Sequence, residues 1–556
     1  MPMHRFALLN RLLSRLSSSL LASWLIVGCS GSVNTSGSGG NPTPTPSQSS
    51  VDVVTYHYDN MRTGGNTNET LLTHANVNST QFGKLGEFMV DGQVDGQPLY
   101  LSNVSIPGSG MRNVLYVVTE HGSVFAFDAD SIKGNTGNPL WMKSTPLPGE
   151  VPSDNRGCSQ VTPEIGITST PVIDRGRGAI YVVAVSKDAA GNYFHRIHAL
   201  DLTTGKELFG GPTTITATYP GNGAGSSGGT VIFDPAQYNE RPGLLEVSGT
   251  IYTTWGSHCD MGAYTSWVIA YSADTLKQTS VLNLVPNGSE GGIWMAGTAP
   301  AADAAGNIYV INGNGTFDTA LSASGFPVQG DCGNCFAKVS STSPLKLLDY
   351  FTPSNTVALS NADSDLGSGG PLLLPDVVDA TGTTRHLLVA SGKNNPNIYV
   401  LDRDNMGKFS PNANNVYQLV AGVLPSSGEF GKPSYFNSTV YYGAVGDSLK
   451  AFPITGGKLA TAPSSQSSIQ FPYPGTTPSI SASGSAQGIV WAVENRNTAV
   501  LHAYDATNLG TELYNSNQAP SGRDQFAGNK FITPVIANGR VYVGTPNSVA
   551  VFGRLP

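Results

Sequence analysis

From Phe82 to the C-terminus, apolar and polar residues alternate with a period of two in short runs broken by Gly, Asn, Asp and Pro. That pattern belongs to half-buried β-strands, whose successive side chains point to opposite faces. A longer repeat lies over it, in which an apolar strand with a central Tyr-Val is followed, about ten residues on, by a second apolar strand ending near Asp. Its copies are NVLYVVTEHGSVFAFDAD (113–130), GAIYVVAV with RIHALDLTTGK (178–206), GTIYTTWG with WVIAYSADTL (249–276), and GNIYVING with CFAKVS (306–340). The series continues with HLLVASG and NIYVLDRDNMG (386–407), STVYYGAVGDSLKAFPITGG (438–457), GIVWAVE with VLHAYDATNLG (488–510) and GRVYVGTPNSVAVFG (539–553), making eight copies.

Each copy is preceded by a further strand rich in Pro and small residues: QPLYLSNV, ITSTPVID, TVIFD or the nearby LLEVS, GTAPAAD, GGPLLLPD, KPSYFN, TPSISAS and ITPVIAN. Most are followed by a fourth, as in NPLWMKST, KELFG, KQTSVLNL, LKLLDYF, VYQLV and TELYNS, with a weak ATAPSSQ in the sixth. The eighth unit has no room for one, because the chain stops at Pro556. FGKLGEFMV (82–90) stands before the first unit without partners and is the natural donor, since an open ring would leave two sheet edges exposed. The pattern therefore predicts an all-β chain: an eight-bladed β-propeller of four-stranded antiparallel blades, closed by an N-terminal strand, with seven blades as the alternative if one unit is an insertion.

Composition agrees with this architecture. Charged residues make up only 12%, while Gly 66 and Pro 36 supply many turns and leave little for long helices. A net charge of -8 provides no basic field for nucleic acid. The N-terminus reads differently: His4, Arg5, Arg11 and Arg15 precede the apolar run Leu20 to Val27, too short to span a bilayer. Its end, Ile26-Val27-Gly28-Cys29, resembles a bacterial lipobox, so residues 1–28 are expected to be a lipoprotein signal peptide and Cys29 the lipidated residue. Residues 29–51 then form a flexible Gly/Ser/Pro/Thr tether, and 52–556 the propeller domain. Ser30 follows Cys29 where an inner-membrane retention signal would place Asp, so the expected location is the cell envelope, with the outer membrane favoured.

The Tyr-Val-Gly-Thr then Val-x-Ala-Phe-Asp pattern, as at 541–552 and 116–128, resembles the pyrroloquinoline-quinone (PQQ) type propeller repeat. Longer strings, among them MRTGGNTNETLLTHANVNSTQFGKL (61–85), GSHCD (256–260) and DLGSGGPLLLPD (365–376), resemble bacterial exported propellers carrying that repeat. The resemblance implies the fold. Its class includes quinone-dependent alcohol dehydrogenases and also a cofactor-free lipoprotein of the outer-membrane β-barrel assembly machine. In the dehydrogenases PQQ lies between a tryptophan and a ring of two adjacent cysteines, with calcium held by Glu and Asn and an Asp as base. Tyr309-Val-Ile-Asn-Gly-Asn314 resembles the Asn element, and Trp294 is placed to be the stacking floor. No two cysteines are adjacent, and neither Glu164 nor Glu290 sits in a copy of the Glu element.

Cys158, Cys259, Cys332 and Cys335 read as structural in an oxidising envelope compartment: a local Cys332–Cys335 bridge, with Cys158 and Cys259 pairing across blades. Polar residues beside the first or second strands are candidates for lining an axial funnel. They are Glu164, His258, Asp260, Asp318, Asp365, Lys393 and Arg523 with Asp524, alongside Trp294 and Asn314. Two functions follow. The first is a lipid-anchored, noncatalytic scaffold that binds an envelope protein, peptide or glycan at its loop face and carries no cofactor. The second is a periplasmic oxidoreductase using PQQ and calcium, in which Asn314 is a calcium ligand and Trp294, Asn314 and a carboxylate such as Glu164 meet on the axis.

Overall fold

The computed structural model describes residues 52–132 and 138–556. The expected signal peptide (1–28), Cys29 and the whole expected tether (29–51) lie outside the described residues. Strands dominate, and the one α-helix among the described residues, Thr356–Asn361, is six residues long. No helix there is long and apolar enough to cross a membrane.

Besides three small sheets of two or three strands, the strands form eight sheets of four or more that follow one another along the chain, numbered here 1 to 8; their pairings are antiparallel except that Gly65–Asn66 lies parallel to the first strand of sheet 7. Their first strands are Leu99–Ile106, Val172–Asp174, Leu245–Val247, Ala301–Ala302, Leu372–Leu373, Ser434–Phe436, Ser479–Ser483 and Val535–Ala537. Seven of the sheets take their next strands in chain order. Sheet 8 instead takes its fourth from the N-terminus, with Phe82–Met89 pairing along Ser548–Arg554 from Phe82 opposite Arg554 to Met89 opposite Ser548. Details depart from the sequence reading. In sheet 3 the first strand is LLEVS, while TVIFD joins a separate three-stranded sheet with Thr218–Pro220. In sheet 2, KELFG makes only a single bridge and Thr213–Thr214 is the fourth strand. In sheet 6 the weak fourth strand is split into Lys458–Leu459 and Ser465–Gln466.

The repeat's residue types follow from how the sheets meet. Apolar clusters lie between successive sheets, and the one holding Leu99, Tyr116 and Val182 also takes Val535, Tyr542 and Val551 from sheet 8. The recurring Tyr of the second strand reaches across this layer. Tyr116 donates to Leu202 O at 2.9 Å, Tyr181 to Ala273 O at 2.8 Å, Tyr252 to Ser341 O at 2.7 Å and Tyr441 to Ala506 O at 2.8 Å, each acceptor belonging to the next sheet. The recurring Asp closes the turn after the third strand by accepting the amide two residues on. Asp128, Asp201, Asp402 and Asp505 all do so at 2.8–3.1 Å.

The recurring Pro belongs to the inner edge. Pro98, Pro171, Pro300, Pro371, Pro433, Pro478 and Pro534 each stand immediately before a first strand. Except in sheet 7, where Gly65–Asn66 pairs alongside, a first strand is a sheet edge, and Pro just before it removes an amide that no neighbouring strand would accept. The amide two residues later is met by the N-terminal segment, which passes the sheets in turn. Tyr100 N donates to Val53 O, Ile173 N to Val54 O, Ala302 N to Asn60 O, Leu373 N to Met61 O, Tyr435 N to Thr63 O and Ile480 N to Gly64 O, all at 2.7–3.0 Å. In sheet 8 Ile536 N donates to the Tyr58 hydroxyl at 2.7 Å, and in sheet 3 Asn60 Nδ2 donates to Glu246 O at 2.9 Å. Residues 53–64 are thus a girdle bonded to all eight inner strands.

Two predictions follow. Tyr181→Phe deletes one sheet-to-sheet bond and strands the Ala273 carbonyl, so chemical denaturation should show a loss of about 1–2 kcal/mol. Glu429, 1% exposed, accepts Gly431 N at 2.9 Å with one oxygen and leaves the other unpartnered; burial pushes its carboxyl up to about 8. The folded protein keeps this proton to about pH 8 while the unfolded chain releases it near 4.5, so its contribution is complete below 4.5 and is lost as pH rises to 8. Glu429→Gln should flatten the stability profile between those values relative to the wild type, by an amount on the order of 4 kcal/mol at pH 9.

Candidate functional site

In an antiparallel meander, the loops joining strands two and three leave on the same side as those joining one sheet to the next. Every chemically distinctive loop is on that face. There the loops enclose a cavity of ≈ 260 Å³, open to solvent and reached by Gln160, Cys259, Trp294, Asp365, Phe430, Tyr473 and Phe531.

One wall is acidic. Asp260, Asp363 and Asp365 line it, with Lys393 between them. Lys393 Nζ lies 2.5 Å from Asp363 Oδ1 and 2.9 Å from Asp365 Oδ2. Asn314 is pinned by the same carboxylates: its amide nitrogen donates to Asp365 Oδ1 and its Nδ2 to Asp363 Oδ1, each at 2.7 Å. Its Oδ1 is left buried with no partner. Burial raises the Asp365 carboxyl above the ordinary range, and Lys393 opposes that shift. Glu290 is raised for the same first reason and then by Asp260, Asp365 and Asp363, so four acids share one field.

Trp294 forms the floor beside this wall. Glycines make room for it: a Cβ on Gly313 would stand 2.8 Å from Trp294 Cδ1 and 2.6 Å from Asp365 Oδ1, and one on Gly256 would stand 3.0 Å from Trp294 Cε3. The facing wall is cationic and aromatic. Arg241 lies over the Phe531 ring at 5.1 Å, and Tyr473 stacks edge-on against both Phe430 and Phe531. A water-sized recess behind Phe531, lined also by Asp95 and Lys530, extends this wall. Cys158 and Cys259 form a disulfide that ties the loop between sheets 1 and 2 to the loop of sheet 3. Cys259 and Asp260 both hold left-handed backbone, φ 52 and 55, a conformation costly for such residues that the bridge helps to maintain.

The sequence candidates divide accordingly. Asp260, Trp294, Asp365 and Lys393 line the cavity, and Asn314 backs its acidic wall. Glu164 does not join them, because it is held by His121 Nδ1 at 2.9 Å near the protein surface. Asp318 closes its own loop by accepting Ala320 N and Gln329 N. Arg523 and Asp524 serve the last sheet: Asp524 accepts Lys84 N at 2.9 Å and the Tyr514 hydroxyl at 2.7 Å, clamping the N-terminal strand. His258 is buried and, with Arg156 near, pushed down to about 4, so it stays neutral; no ion pair joins it to Asp260, which accepts from the Tyr264 hydroxyl instead. Cys332 and Cys335 form the second disulfide, in an apolar cluster with Phe317 and Tyr350. Arg241, Asp363, Phe430, Tyr473 and Phe531 were missed. Their shared signal was position, since each lies in a loop that leads into a first strand.

A PQQ-type quinone with a hard cation fits these residues. The unpartnered Asn314 Oδ1 and neighbouring carboxylates are hard oxygen donors, the Trp294 face is available for stacking, and Arg241 and Lys530 suit an anionic ligand. Among the described residues no three His, Cys, Asp or Glu side chains are grouped tightly enough to hold a metal alone, so the organic ligand would complete the shell.

No family model and no curated protein sequence matches the chain. Solved structures do. A quinohemoprotein alcohol dehydrogenase from Comamonas testosteroni superposes with TM-score 0.57 at 16% identity, covering 90% of this chain and 80% of that one. The quinohemoprotein alcohol dehydrogenase ADHIIG from Pseudomonas putida HK5 gives TM-score 0.57 at 13% identity over 90% and 80% of the two chains. A europium-containing methanol dehydrogenase gives TM-score 0.57 at 12% identity over 90% of this chain and 98% of that one. Such identities speak for fold alone. The nearly all-β chain is a β-propeller similar to those of the quinoprotein dehydrogenases.

Proposed function

We propose that the eight sheets are the blades of one propeller, locked where Phe82–Met89 completes the last of them, and that its loop-face pocket binds a planar anionic quinone of PQQ type with a hard cation. The protein then acts as an exported oxidoreductase of the cell envelope. The leader and Cys29 support lipid anchoring there, with the outer membrane favoured. One observation carries the reading: Trp294 and Asp365 converge at Gly313, next in sequence to Asn314, whose amide Asp365 holds and whose Oδ1 is unpartnered. When bound, such a quinone accepts the two electrons and two protons released by an alcohol substrate. The chain's own residues do the rest. Trp294 supports the ring, Arg241 and Lys530 attract carboxylates, and Asn314 with Asp363 and Asp365 holds the cation. Asp365 Oδ2, made more basic by burial, is the group poised to take the proton of the substrate hydroxyl, and Lys393 keeps it ionised until then.

A second reading is a noncatalytic scaffold that binds an envelope protein, peptide or glycan at the loop face and uses no cofactor. Lys393 favours it, because its ammonium already neutralises Asp363 and Asp365 without a cation.

Titration of the purified protein with PQQ, with and without calcium or europium, separates the two. The first reading predicts cation-dependent change in quinone absorbance and a rise in melting temperature. Asp365→Asn and Asn314→Ala should each weaken that binding by roughly tenfold or more while the ligand-free melting temperature changes little. Absence of binding under every cation would leave the scaffold.

A further inference from the structure

Beneath Phe430 the chain turns inward to Lys432, the residue before Pro433 at the head of sheet 6's first strand. Lys432 is 0% exposed, and its Nζ has no partner. Two fully buried basic residues of the girdle lie close by: His57 Nε2 shares the Pro478 carbonyl with the hydroxyl of Ser434, two residues on from Lys432, and His57 Nδ1 meets the Arg62 carbonyl. The acid whose field reaches Lys432 is Asp59, and that carboxylate is already engaged by the amide and hydroxyl of Thr63.

One donor at this place, Lys432 Nζ, is left over. Arg62 spends N–H groups on Pro300 O, Thr55 Oγ1, Tyr56 O and Leu244 O, at 2.7–3.4 Å. The His57 nitrogens both face carbonyls, Nδ1 with Arg62 O at 3.3 Å and Nε2 with Pro478 O at 3.1 Å. A neutral imidazole can donate to only one of them, whereas the imidazolium satisfies both. Burial first, and then Lys432, press the ring toward the neutral form. A buried ammonium left without a counter-charge is itself unfavourable. Burial and then the Arg62 charge push the Lys432 amine well below its ordinary range; a single negative charge beside it would pair the ammonium and offset the repulsion that adds to burial at His57.

We propose that Lys432, with His57 and Arg62 close by, forms an internal site for a small inorganic anion of halide size, seated between the girdle and the pocket. A halide suits it because it accepts N–H donors from any direction and needs no donor in return. Tyr56, His57 and Arg62 on the girdle side are all fully buried. The proposal does not depend on the pocket's ligand.

Crystals grown in sodium bromide and measured at the bromine edge test it directly. The expected result is an anomalous peak within hydrogen-bonding distance of Lys432 Nζ, together with a higher melting temperature in bromide than in gluconate at equal ionic strength. Lys432→Met should lose both, while Lys432→Arg should retain the peak. A wild-type map with no peak there overturns the proposal whatever the melting temperatures do, and so does a peak that persists in Lys432→Met. If Lys432→Met fails to fold, the wild-type map and Lys432→Arg decide.

Discussion

The constraint on which the rest depends is the inner edge of each sheet. The eight sheets present first strands whose side away from the rest of the sheet, in all but sheet 7, carries no partner strand. The structure meets this with two devices: a proline at the head of seven of these strands, and a girdle whose carbonyls, with one phenol, accept the amides that follow. Each bond contributes little on its own, about 1 kcal/mol net, but an unmet buried amide costs more than a made bond gains. With the edges satisfied, the first strand of every sheet is tied to the same short segment, residues 53–64. Tyr-to-carbonyl bonds then set one sheet against the next at four of the junctions.

Much of this was legible in the sequence. The Tyr, Asp and Pro that mark the repeat are each tied to one backbone group, so they recur at fixed places even where the apolar positions vary. The donor strand of sheet 8 was legible for the same reason, as an alternating run with no partners of its own. The girdle was not. Its residues bond through main-chain carbonyls, which any side chain supplies, so Val53, Asn60 and Met61 carry no pattern that announces their role.

The site shows the same division. Trp294, Asn314 and Asp365 were readable as polar or aromatic interruptions near strands, whereas Asp363, Arg241 and Phe531 acquire meaning only when loops separated by more than a hundred residues meet. Glu164 and Asp318 illustrate the opposite error. Both sit in loops on the correct face, yet each finds a local donor, His121 for one and its own loop amides for the other. A carboxylate that can satisfy itself nearby has no need to face the funnel. Asp363 and Asp365 remain there because Asn314 and Lys393 hold them.

The girdle also bears on the order in which the molecule is assembled. Residues 53–64 are among the first of the body to be made, yet their partners extend to Ile536, and the adjoining strand Phe82–Met89 waits for Ser548–Arg554. The oldest part of the chain can therefore be seated only after the youngest has arrived. Until then every inner edge is open, and the growing sheets have no terminus to stop them pairing with a neighbour's. Ser548–Arg554 is thus the partner for which both the strand Phe82–Met89 and the rest of sheet 8 wait.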